Sequence, residues 1–150
     1  MTAVPNGEEK AMNIPLLLKP KNTISYINES NTVRQGIEKM KYHGYTALPV
    51  INDDGEYTGT VSEGDFLWHK VNIEQGIIPE GRYTIKDIMR KRNAAVNINA
   101  SVDELLRLVL DQNFVPVTDD RGMFIGIVTR RDIIDYFYSR YKNEKIYSAQ

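Results

Sequence analysis

Apolar and polar positions along the chain switch between two periods, and the order of the switches repeats. Short apolar runs with strand character fall at residues 24–27, 47–51 and 57–61, and again at 94–98, 114–117 and 123–128. Between the first and second run of each set, apolar residues recur at helical spacing. These are Val33, Ile37 and Met40 in one set, and Leu105, Leu106, Val109 and Leu110 in the other. Each helix opens on a hydroxyl followed three residues later by an amide or acid, Thr32 with Gln35 and Ser101 with Glu104. That spacing lets the hydroxyl accept one free backbone N–H while the longer side chain reaches back to another. The second and third runs are joined by Asn52-Asp53-Asp54-Gly55 and by Asp119-Asp120-Arg121-Gly122, residues that make local side-chain turns and tolerate positive φ. A closing helix starts at Ser62 or Thr129. The predicted unit is β-α-β-β-α, present twice.

The two units are copies. LPVINDDGEYTGTVSEGDF at 48–66 lies beside VPVTDDRGMFIGIVTRRDI at 115–133, with Pro49 matching Pro116, Gly59 matching Gly126, Ser62 matching Thr129 and Asp65 matching Asp132, all at an offset of 67. Upstream, Thr32-Val33 matches Ser101-Val102 at an offset of 69, so the first copy carries two extra residues around 42–45. Two copies are too few for a solenoid. The expectation is an α+β (α/β-like) fold of two like motifs related by a pseudo-twofold axis and packed through their sheets. The motifs span 12–71 and 84–141. A connector at 72–83 contains Gly76, Pro79 and Gly81, a polar extension covers 1–11, and a tail covers 142–150. The run 14–18 is short and broken by Pro15, so it reads as a segment that packs on the core, not as a signal or a span.

Composition narrows the function. The chain has 150 residues, 41% of them apolar, with 19 basic against 20 acidic side chains and a net charge of −1. A balanced charge argues against a dedicated nucleic-acid binder, leaving only the basic cluster at 86–92 for that option. There is no cysteine, hence no disulfide framework or thiolate chemistry, which fits a reducing, cytoplasmic setting. No apolar run approaches the ~20 residues that span a bilayer, so no membrane partner is expected.

The candidate chemistry sits in the repeated loop, Gly59-Thr60-Val61-Ser62-Glu63-Gly64-Asp65 and Gly126-Ile127-Val128-Thr129-Arg130-Arg131-Asp132. Glycine lets a backbone approach a ligand closely. The hydroxyl and carboxylate stand at the first turn of a helix, where free N–H groups and the dipole favour a polar or anionic group. A carboxylate accepts hydrogen bonds at both oxygens, which suits a vicinal diol. Ser/Thr-x-x-Asp is equally an ordinary capping box, and taken singly that is the plainer explanation. Its recurrence at one offset, after glycine and two strands each time, favours binding.

With the apolar-Pro-Val strand, the Asp/Gly turn and this loop in order in both copies, the chain resembles a tandem pair of cystathionine-β-synthase-type (CBS) domains, a Bateman module, over roughly residues 14–140. It is similar to stand-alone CBS domain-containing proteins. The resemblance implies an adenosine-containing ligand, with Asp65 and Asp132 taking ribose hydroxyls and Ser62 and Thr129 near ribose or phosphate. It implies adenine contacts from Ser25 and Tyr26 in the first copy and from Ala94 and Ala95 in the second. Residues at and before each proline are implied as well: Tyr45, Thr46, Ala47 and Pro49, and Asn113, Phe114 and Pro116. Arg131 occupies a position where the family sometimes places a phosphate-contacting base, whereas the first copy has Gly64 there. Thr46-Ala47 and Asn113-Phe114 stand where some relatives carry His-Arg. That departure implies a ligand read mainly through adenine and ribose, or one with fewer phosphates.

Other residues carry less. Tyr26 and Tyr45 have the shape to stack on a base, though single aromatics are more often core or edge residues. Lys19, Lys21, Arg90, Lys91 and Arg92 flank the first strands and could line the phosphate end of a cleft, although solvent-facing charge is the plainer expectation for most of them. His43 and His69 lie at no metal-ligand spacing, and no metal is expected. Phe66, Trp68, Ile133, Ile134, Phe137 and Tyr138 form apolar faces on the closing helices, suited to core or to a homodimer interface. No nucleophile–base pair or phosphate-cradling Gly-rich loop points to an enzyme. The expected function is a regulatory adenine-nucleotide sensor that signals to a separate, unknown partner protein. Its ligand would be AMP, ADP, ATP, cyclic di-AMP or S-adenosylmethionine, with no further cofactor. The alternative is a ligand-free interaction or scaffold protein with vestigial pockets. Of the two loops, 126–132 is the better equipped, because of Arg131.

Overall fold

The capping boxes read from the sequence do open helices. In the computed structural model, which describes residues 11–90 and 93–148 apart from the Tyr147 side chain, the chain enters through α1 (Ile14–Leu17), β1 (Lys19–Pro20) and a 3-10 turn at Lys21–Thr23. The first unit follows as β2 (Ile27–Asn28), α2 (Val33–His43), β3 (Ala47–Ile51), β4 (Tyr57–Ser62) and α3 (Glu63–Glu74). After α4 (Ile85–Ile88), the second unit repeats the order as β5 (Val96–Asn97), α5 (Val102–Val109), β6 (Phe114–Thr118), β7 (Phe124–Thr129) and α6 (Arg130–Ser148). Gln35 N donates to Thr32 Oγ1 at 3.2 Å while Thr32 N donates back to Gln35 Oε1 at 2.9 Å. Ser101 Oγ accepts from Glu104 N at 3.2 Å.

The first strand of each unit is shorter than the apolar runs 24–27 and 94–98 suggest. Only Ile27 and Asn28 pair in parallel with Val50 and Ile51, and only Val96 and Asn97 with Val117 and Thr118. The asparagine ends the strand in both copies. Asn28 Nδ2 donates to Asp53 Oδ1 and Asn97 Nδ2 to Asp120 Oδ1, each at 2.9 Å. Their Oδ1 atoms accept the amides of Ser30 and Asn99 at 2.8 Å, which turns the backbone away from the ladder. The last helix continues past residue 141, carrying residues 142–148 of the stretch read as a tail.

The sheets run β2-β3-β4 and β1-β7-β6-β5. They face each other through Ile51, Tyr57 and Phe124, with Ile24, Tyr26, Ala95 and Ile127 packed around them. The two hairpin turns meet on the pseudo-twofold axis and exchange backbone hydrogen bonds. Phe124 N donates to Gly55 O at 3.0 Å and Tyr57 N to Gly122 O at 3.3 Å. Gly55 and Gly122 sit at φ 84° and 80°, in the left-handed region that glycine enters without a Cβ penalty.

The short segments preceding each unit cross over to the other one. Ile14 of α1 is fully buried in the second core with Val96, Leu105, Val115, Val117, Val128 and Ile133. Ile85 and Ile88 of α4 complete the first core with Ile27, Met40, Leu48, Val50 and Val61. β1 continues the exchange by pairing antiparallel with β7, Lys19 opposite Ile127 and Pro20 opposite Gly126. A Cβ on Gly126 would stand 2.2 Å from the Lys19 carbonyl oxygen, so glycine is what lets this strand dock. The close approach that glycine permits here is made by the protein's own backbone.

Candidate functional site

The closing helices are tied to the strands beside them in the same way in both halves. The first helical amides, Glu63 N and Arg130 N, donate to the carbonyls of Thr46 and Asn113 at 2.9 and 2.8 Å. This holds each Ser/Thr-x-x-Asp turn against the residues that precede the other strand's proline. Arg130 turns away from the turn and clamps the end of α5, its Nε donating to Val109 O at 2.8 Å.

Around the second loop, a cleft of about 320 Å³ opens between the halves. Ser25, Tyr45, Thr46, Ala47 and Pro49 of the first half line it together with Asn113, Phe114 and Thr129 of the second. Lys19, Thr23, Ile24, Leu48 and Ile127 complete the wall. Thr129 Oγ1 accepts from Asp132 N at 3.1 Å, capping α6. The Asp132 carboxylate faces Lys19 Nζ at 3.4 Å, with side chains 33% and 46% exposed. This volume is at the lower end of the ~300–1,000 Å³ usual for small-molecule sites.

The first loop borders a pocket of about 260 Å³ lined by Ala47, Thr60, Ser62, Gly64, Asp65, Trp68, Arg90 and Asn93. Here the capping box is closed on both sides. Asp65 N donates to Ser62 Oγ at 3.4 Å and Ser62 N donates to Asp65 Oδ2 at 2.9 Å. Asp65 is 6% exposed. Behind it, the Tyr57 hydroxyl lies 2.9 Å from Thr60 Oγ1 and donates to the Asn93 carbonyl at 2.8 Å. The Arg90 guanidinium stands over the Trp68 ring, 5.9 Å from its centroid.

Other residues singled out in the sequence lie outside the lining of both cavities, Asp132 among them. Tyr26 packs into the layer between the sheets, its ring 5.9 Å from that of Phe124, and its carbonyl accepts from Lys39 Nζ. Burial of the Lys39 ammonium there lowers its pKa. Ala94 offers its carbonyl to Gln112 Nε2 at 3.1 Å, and Pro116 is fully buried in β6. Arg131 is exposed and outside the lining of either cavity, and Ala95, also outside it, is partly buried between the sheets. Lys91 and Arg92 lie outside the described residues. Thr23, Ile24 and Asn93 carry no signal in the sequence because they reach the loops only through the crossing of the lead-in segments, whereas Thr60 belongs to the first loop itself and Trp68 follows it on α3.

His43 stacks on Tyr45 at 5.3 Å between centroids, and His69 meets Tyr83 edge-on at 4.6 Å. Among the described residues no group of three or more His, Cys, Asp or Glu side chains is placed to hold a metal, and no helix is long and apolar enough to cross a membrane.

The repeat and the fold have counterparts among known proteins. The CBS domain model matches residues 18–71 and 85–139. The chain belongs to the CBS domain family. It is 33% identical over 98 residues to the uncharacterized protein MK0525 of Methanopyrus kandleri, covering 64% of this chain and 48% of that protein, so it spans about half of that relative's length. Among solved structures it is similar to CBSX2 in complex with AMP, with TM-score 0.73, 25% identity, and coverage of 87% of this CBS chain and 99% of that one. It shares the fold of CbpB in complex with c-di-AMP, with TM-score 0.76, 19% identity, and coverage of 89% of each chain.

Proposed function

We propose that this chain is a regulatory module that binds an adenosine-containing ligand between its two halves and passes the change to a separate partner protein, without catalysing a reaction. The observation that carries this reading is the cleft at the second loop. There the residues ahead of both prolines converge with Thr129 and Lys19, and Lys19 in turn reaches the partly exposed carboxylate of Asp132 just outside the lining. The AMP held by CBSX2 and the c-di-AMP held by CbpB support a ligand of the adenine-nucleotide class. A pseudo-twofold pair of loops also has the symmetry of c-di-AMP. ADP, ATP and S-adenosylmethionine complete the set to be screened.

Signalling requires that ligand favour one arrangement of the halves over another. The turns that meet on the axis through Gly55 and Gly122 give such a rearrangement a pivot. Output then reaches a partner through the outer helices, where Leu67 and Trp68 of α3 and Ile134, Phe137, Tyr138 and Tyr141 of α6 are exposed. The same faces suit a homodimer, and the absence of cysteine suits a cytoplasmic setting.

Thermal-shift and calorimetric titration with AMP, ADP, ATP, c-di-AMP and S-adenosylmethionine test the reading. A specific ligand at 100 times its Kd stabilises the chain by about 2.7 kcal/mol. No heat and no shift with any of the five would refute it. One observation favours the scaffold alternative for half of the molecule: Asp65 is buried in its own capping box, as in a pocket that no longer binds. A stoichiometry of one mononucleotide per chain would support a vestigial first pocket.

A further inference from the structure

The crossing lead-ins do more than complete the cores. α1 is followed by Leu18 and Lys19, and α4 by Met89 and Arg90, so the two cations stand at the same place in the repeat. Lys19 leaves the first half and lines the cleft of the second loop, 3.4 Å from Asp132. Arg90 leaves the connector and lines the pocket of the first loop, beside Asp65. Each hydroxyl–carboxylate loop thus receives one cation, and in both cases it comes from the segment preceding the other half.

The geometry points to Lys19 and Arg90 as the residues that select a phosphate-bearing ligand over an uncharged nucleoside, each serving the loop of the opposite half. This rests on the nucleotide reading above and specifies which side chains read the charge. The physical need is plain. A carboxylate that takes ribose hydroxyls repels the phosphate joined to that ribose, and a cation within a few ångströms offsets the repulsion. Helix N-termini in both loops contribute only partial positive charge. Arg131, the base nearest in sequence, is exposed and outside the cleft lining.

The two cations differ in kind. Arg90 is steadied by the face of Trp68, and a guanidinium held in one plane can offer two parallel N–H donors to a phosphate. Lys19 is a single ammonium on a flexible stem, half-exposed, already neutralising Asp132.

The test uses the full chain and two probes, adenosine and AMP, titrated calorimetrically into the wild type and into Lys19→Gln, Arg90→Gln, Lys19→Arg and Arg90→Lys. The preference for AMP over adenosine should fall about ten-fold or more in each glutamine variant, as expected for one lost charge-assisted hydrogen bond. Adenosine affinity should change much less than AMP affinity, and the charge-conserving variants should recover the preference. Equal weakening of both probes, or no change in either, overturns the assignment. So does a preference that survives in both glutamine variants and disappears in Arg131→Gln. A wild type that binds adenosine as well as AMP overturns it while leaving the nucleotide reading intact. A wild type that binds neither adenosine nor any of AMP, ADP, ATP, c-di-AMP and S-adenosylmethionine refutes that reading itself.

Discussion

Asp65 and Asp132 occupy the same position of a loop repeated 67 residues apart, and the molecule treats them differently. Asp65 is buried and its carboxylate accepts the Ser62 amide. Asp132 is partly exposed and its carboxylate faces Lys19, which also lines the cleft between the halves. The local motif is the same, so the difference comes from outside it. Trp68 on α3 sits beneath Arg90, while the matching position on α6 is Asp135. With no aromatic to hold it, Lys19 reaches the carboxylate. One capping motif can therefore end with its carboxylate closed on the backbone or turned to a cation, and the side chain delivered by a distant segment decides which.

The largest test of this comparison removes the crossing itself. Ile14→Ala and Ile85→Ala each empty a fully buried site in the core of the opposite half, and each should cost about 2–5 kcal/mol in urea denaturation. Because each lead-in belongs to both halves, unfolding should remain a single transition in both variants. Two separated transitions would break the view that the halves are tied by exchange.

Gly126→Ala should be next, at about 1–3 kcal/mol, since the new Cβ would press on the Lys19 carbonyl and push β1 off β7. Ligand affinity at the cleft between the halves should fall with it, because Lys19 lines that cleft and moves with the strand. A variant as stable as the wild type with unchanged affinity would show that β1 does not position the cleft.

Asp65→Ala and Asp132→Ala sharpen the contrast directly. Loss of the Asp65 cap should cost about 1–2 kcal/mol of stability. Loss of the exposed Asp132–Lys19 pair should cost less than about 1 kcal/mol. Adenosine affinity should respond in the opposite order, falling more for Asp132→Ala. Equal stability losses would erase the distinction.

The smallest effect concerns the hairpin turns. Asn52 and Asp119 make the same side-chain turn. Asn52 Oδ1 accepts the amides of Asp54 and Glu56, and Asp119 Oδ1 those of Arg121 and Met123. Only the second titrates. Partial desolvation works to raise the Asp119 pKa, but the Met123 and Arg121 amides and the Arg121 guanidinium outweigh it and hold the group below its ordinary value. A depressed carboxylate stabilises the fold above its unfolded pKa, and that contribution is lost as pH falls through the folded one. Asp119→Asn should therefore match the wild type more closely at acidic pH than at neutral pH in denaturant titrations. An equal difference at both would remove the turn from the pH response.

Much of the fold was legible because its signals are local. Thr32 and Gln35, or Ser62 and Asp65, lie within one helical turn, so spacing alone brings them into hydrogen-bond reach. Val33, Ile37 and Met40 show a period, and Asn52-Asp53-Asp54-Gly55 shows a turn. The converging residues Tyr45, Thr46, Ala47, Asn113, Phe114 and Thr129 were legible through the repeat and the resemblance together. Tyr26, Ala94 and Pro116 went to packing and backbone bonds instead, because a two-residue strand leaves the orientation of its neighbours to the opposing sheet. α4 was missed as a helix since four residues are too few to display a period.

The sequence by itself determined the repeat, the order of elements in each unit, the caps, and the pairing of a hydroxyl with a carboxylate in both loops. These depend on contacts a few residues apart. Only the tertiary structure decided that α1 and α4 exchange cores, that β1 docks at Gly126, and that Lys19 and Arg90, and not Arg131, line the two cavities. An apolar residue such as Ile14 or Ile85 records that it will be buried. It does not record against which half, because burial is rewarded by apolar area irrespective of the chain that supplies it.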